Sequence, residues 1–182
     1  MHDLSPYASG KDAMPLFDQV FNRVQLFDTP LILDQTPIDL ISLDAATQKT
    51  LLQLCAGLGV QPTEDSLLLI ARQTEKHVGT LKRDLPTISS LYRQARIAKL
   101  FGHSVEELLA LAGLLGGSSY KTALASGRLS APSTAANPDI LDVLMQLDWA
   151  FTWLEDSQQT VTQVLQRLGI DAPPNHEEPE ND

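Results

Sequence analysis

Cysteine is almost missing from these 182 residues: Cys55 stands alone, which excludes an intramolecular disulfide and leaves a structural zinc site without its usual thiolates. Histidine is scarce and scattered. His2, His77, His103 and His176 show no HxxxH or HExxH spacing that would aim two imidazoles at one ion, so no metal site is expected. Positive charge is short as well, with 13 Lys and Arg against 23 acidic residues, a formal net charge of −10 and a pI near 4.7. Phosphate backbones need clustered cations, so nucleic acid is not an expected partner. The nearest basic run, Arg93, Arg96 and Lys99, reads as a solvated helix face. No apolar run approaches the roughly 20 residues that cross a bilayer, and the apolar helices carry few basic residues to meet anionic headgroups, so no direct membrane insertion by this segment is expected. The N-terminal MHDLSPYASGKD lacks the basic-then-apolar order of a signal peptide. Catalytic groupings are missing too. Asp34, Asp39, Asp44 and the pair Glu106 and Glu107 have no partner that would split their pKa values, and Leu115-Gly-Gly-Ser-Ser-Tyr-Lys121 lacks the spacing of a phosphate loop. No catalytic residue and no cofactor are expected.

What the chain does have is helical periodicity. Apolar residues make up 43% of it, enough for a real core in one domain of this length. Residues 1–13 read as a flexible arm, and a helical domain is expected over 14–170. Pro15 opens a short helix with Leu16, Phe17, Val20 and Phe21 on one stripe. Pro30 and Pro37 then impose an extended connector, with a short strand expected at Leu31 to Leu33. A helix is predicted from Thr47 to Leu58, another capped at Thr63, another from Thr87 to Phe101, and another from Ser104, where Ser104-Val-Glu-Glu107 has the form of a capping box. Gly116 to Ala136, rich in Gly, Ser and Ala, reads as a mobile insert in which 118–126 has the makings of a brief helix. Asn137 and Pro138 are the expected cap and first turn of the next helix, and Thr160-Val-Thr-Gln163 repeats the capping box. Aligning Thr63, Ser104 and Thr160 gives a weak repeat of helix, turn, helix, balanced against the alternative that helical hairpins simply share cap chemistry. The acidic APPNHEEPEND from Asp171 to Asp182 reads as a disordered tail. The expected fold class is all-α: stacked helical hairpins, an irregular bundle with a solenoid-like order.

One helix carries too much apolar surface. Ile140, Leu144, Leu147, Phe151 and Leu154 make one stripe, and Met145, Trp149 and Trp153 lie largely off it, so neighbours are expected on more than one side. Met145, Trp149 and Trp153 are therefore the candidate protein interface.

Two blocks carry a family resemblance. Leu16-Phe17-Asp18-Gln19-Val20-Phe21-Asn22 is similar to the LFDxVFN of the A component of insecticidal toxin complexes, the virulence plasmid A family, and Pro37-Ile38-Asp39-Leu40 to the PIDL that follows it. Further on, Ile88-Ser-Ser-Leu-Tyr-Arg93 and Ser104-Val-Glu-Glu-Leu108 resemble the family's helical-hairpin pattern, and Asp142 to Leu168 its next unit, so the likeness covers roughly residues 13 to 168. The resemblance implies the N-terminal part of a helical shell around a host-membrane translocation channel that delivers a separate toxic enzyme. It further implies a non-catalytic segment whose partners are other regions or copies of the A component, a pentamer in the family, with the B and C components engaged only indirectly. Secretion without a classical signal peptide, after a cytoplasmic stage, is implied in the same way. The alternative class is a free-standing helical adaptor or regulator that binds another protein through the same face.

Overall fold

Asn22 shows how the N-terminal motif works. In the computed structural model, which describes residues 15–23 and 28–169, its side-chain amide donates to the Leu31 carbonyl at 3.0 Å and its oxygen accepts from the Leu31 amide at 2.9 Å. One side chain thus satisfies both backbone groups of a buried residue. Asp18 holds Asn22 in place at 2.8 Å. The motif's helix, α1 (Leu16–Phe21), buries Phe17 and packs it against Phe21 in a tilted pair with centroids 5.2 Å apart. The strand expected at Leu31 to Leu33 does not form. Leu31 spends its hydrogen bonds on Asn22, and the connector's backbone pairing is an isolated bridge further on, Pro37 with Lys82.

That bridge fastens the second motif. Ile38 is buried and donates to the Leu81 carbonyl at 2.8 Å, Arg83 donates to the Thr36 carbonyl at 2.8 Å, and Arg83 pairs with Asp34 at 2.9 Å. The connector is tied to the turn between α3 and α4.

The other helices are α2 (Ala45–Leu58), α3 (Leu67–Val78), α4 (Leu85–Phe101), α5 (Val105–Ser126), α6 (Ile140–Asp156) and α7 (Val161–Arg167). No strand occurs among the described residues, so the fold is all-α as expected. Both predicted capping boxes are present, Ser104 with Glu107 and Thr160 with Gln163. Asp44, whose carboxylate accepts from the Ala46 and Thr47 amides and from the Ser42 and Thr47 hydroxyls, starts α2 earlier than expected; those bonds hold its pKa well below the usual carboxylate range. Two expected caps are displaced. Thr63 turns its hydroxyl to Asp65 instead of to backbone amides, and α3 begins only at Leu67. Asp139, rather than Asn137, caps α6 by accepting from the Leu141 amide at 2.8 Å and from Ser130 at 2.6 Å. With Thr63 displaced, the aligned-cap repeat loses one of its three members.

The Gly, Ser and Ala stretch differs most from the reading as a mobile insert. Residues 118–126 are helical and form the second arm of α5, bent off the first at Gly116 and Gly117, whose dihedrals leave the helical region. Ala123, Leu124 and Ala125 are buried in that arm, because small residues allow close helix approach where composition alone suggests a linker. Arg93 of α4 donates to the Ala125 carbonyl and lies over Gly127, which ends α5 in the left-handed conformation. Residues 127–139 are irregular. The expected arm at 1–13 and tail at 171–182 lie outside the described residues.

Helix α5 is the hub, packing against α3, α4, α6 and α7. One apolar cluster runs from Phe17 to Val161. A polar seam crosses it between α3 and α4, where Thr74 and Ser90 share a hydrogen bond at 3.0 Å and the Gln94 amide donates to Thr74 at 2.9 Å.

Candidate functional site: the outward face of α6

Helix α6 is apolar on two opposite sides. Ile140, Val143, Leu147, Ala150, Phe151 and Leu154 are buried against the hub. At about 100° per residue the far side carries Leu141, Met145, Trp149 and Trp153, and these remain 57%, 69%, 61% and 47% exposed. Four residues apart, they form a continuous ridge about 18 Å long. Asp142 and Asp148 border it, and Glu155 and Asp156 close its C-terminal end. The helix contains no Lys or Arg, and among the described residues no cation pairs with these carboxylates.

The inner face fixes how the ridge is presented. Phe151 stacks on His103 with centroids 4.1 Å apart and planes 13° apart, and meets Phe101 at 5.2 Å. His103 is held in turn by Glu107 at 3.0 Å, the residue that completes the capping box of α5. The chain from the Ser104 box through His103 to Phe151 sets the rotation of α6, and with it the direction of Met145, Trp149 and Trp153. All three residues singled out in the sequence stand together on this face. Leu141 was missed, although it lies four residues before Met145 and continues the same spacing.

Other places offer less chemistry. A groove of about 370 Å³ lies where the ends of α2, α3, α4 and α5 meet, lined by Leu58, Val60, Ala98, Lys99, His103 and Val105. Cys55 is buried on α2 and its thiol is pushed up to about 11 by desolvation, which removes it as a nucleophile at neutral pH. Glu106 is raised by partial burial first and by Asp65 and Glu107 second. No group of three metal-ligating side chains is assembled among the described residues, and no described helix is long and apolar enough to cross a membrane.

No family model matches the chain. Over 173 residues, 93% of its length, it is 31% identical to Toxin subunit YenA1 of Yersinia entomophaga. It spans 14% of the length of that protein.

Proposed function

Because this chain is TcA-like, a relative of the A component of insecticidal toxin complexes, we propose that it is a structural segment of such a component. In this reading it is part of the helical shell around a translocation channel, without catalysis of its own. Its partners are other regions or copies of the A component, in the pentameric order the family resemblance implies. The B and C components are engaged only indirectly, and the assembly acts outside the cell that makes it. The observation that carries the reading is the exposed ridge of Leu141, Met145, Trp149 and Trp153. A helix with an apolar stripe on each side has a second neighbour to meet. The similarity to a toxin subunit supports a neighbour belonging to the same assembly.

Native fractionation of producing cells and their medium, probed with an antibody against residues 44–115, tests this. The epitope is expected in a particle many times the 19.9 kDa of the chain. An epitope that runs alone at the chain's own mass would turn the reading to a free-standing adaptor.

A further inference from the structure

We propose that the occupant of the α6 ridge is an amphipathic helix whose apolar stripe is bordered by Lys or Arg. The inference rests on the proposed role of this face as a contact, and adds the chemistry of what covers it. The charge pattern narrows the choice. Asp142 and Asp148 flank the ridge, Glu155 and Asp156 end it, and α6 offers no cation of its own. A two-fold pairing with a second copy would set these carboxylates against themselves, which opposes association. The chain's own C-terminal residues, from Asp171 onward, carry more acid and no Lys or Arg, so they are no better matched. A membrane surface with anionic headgroups meets the same repulsion.

Shape points to a helix. A stripe repeating every four residues presents ridges and grooves that another helix interdigitates with, as α5 already does on the opposite side of α6. An extended peptide gains affinity by adding to a sheet edge, and there is no strand among the described residues. The partner therefore brings its backbone hydrogen bonds satisfied and contributes side chains only. Apolar contact supplies affinity, and the cationic borders set register and exclude acidic competitors.

The chain carries its own reporter, since its two tryptophans are Trp149 and Trp153 and both lie on the ridge. The full 182-residue chain is titrated with two synthetic helical peptides that share one leucine stripe, bordered by Lys in one and by Glu in the other. The Lys-bordered peptide is expected to shift tryptophan emission to the blue and to bind about tenfold or more tightly than its Glu counterpart, with the difference shrinking as salt rises. Asp142→Asn with Asp148→Asn should erase most of that preference. Leu141→Ser with Met145→Ser, which leaves the net charge unchanged, should abolish binding while circular dichroism reports unchanged helicity. Equal binding of both peptides, or binding that survives the serine double variant, overturns the proposal. So does a blue shift on phosphatidylserine-containing vesicles with none on either peptide. None of these results touches the shell reading, which the mass of the native particle decides separately.

Discussion

Gly57 sits inside α2, where alanine would ordinarily stabilise by about 1 kcal/mol through reduced backbone freedom. Here the Phe21 ring lies against the glycine so closely that a Cβ would collide with it. Gly57→Ala is therefore expected to destabilise the chain by about 1–3 kcal/mol, the range for overpacking, as read from urea unfolding. An increase in stability would mean that α1 does not pack on α2 as described. This contact also gives the LFDQVFN block a physical meaning. Phe17 fills the core, Phe21 lies on Gly57, and Asp18 with Asn22 anchors Leu31. The apolar spacing of Leu16, Phe17, Val20 and Phe21 was readable in the sequence. The partners of Asn22 and Gly57 were not, because they are nine and thirty-six residues away and no local period encodes them.

Helix α6 carries a buried face and an exposed apolar face along one element, and the two should respond differently to substitution. Leu147 is fully buried on the inner face, so Leu147→Ala is expected to cost about 2–5 kcal/mol by cavity formation. Trp149→Ser, on the outer face, is expected to leave stability within about 0.5 kcal/mol of the parent. Paired denaturation curves check both, and a large loss from the tryptophan change would mean that the ridge belongs to the core. The excess of apolar residues on this helix was legible from periodicity, as were the capping boxes at Ser104 and Thr160, because both are local patterns. The second arm of α5 was legible only as a brief helix at 118–126, and its place in the core was not. Gly116 and Gly117 mark a bend between two helical arms, and in sequence a bend followed by Ala and Ser looks like a linker until Leu124 is seen in the core. The caps at Thr63 and Asn137 failed for a related reason. Asn137 has a competing acceptor two residues on, Asp139, which takes the cap, whereas Thr63 spends its hydroxyl on Asp65 and α3 starts at Leu67 with no side-chain cap.

At the scale of the whole molecule, the chain has a continuous core from α1 to α7 and an apolar ridge left over on its outside. The core accounts for folding, and the exposed ridge is the surface on which the proposed contact rests. Burial of such a ridge contributes about 25 cal/mol for each Å² of apolar surface removed from water, against the entropy cost of association. A contact of this kind is more readily held inside an assembly that already gathers its parts, as the proposed role requires, than between free molecules. Hydroxyl-radical footprinting of the isolated chain and of the native particle, read by mass spectrometry at Met145, Trp149 and Trp153, tests this most directly. All three are expected to oxidise rapidly in the isolated chain and to be strongly protected in the particle. Equal oxidation in both would contradict the claim that this face is an interface of the assembly.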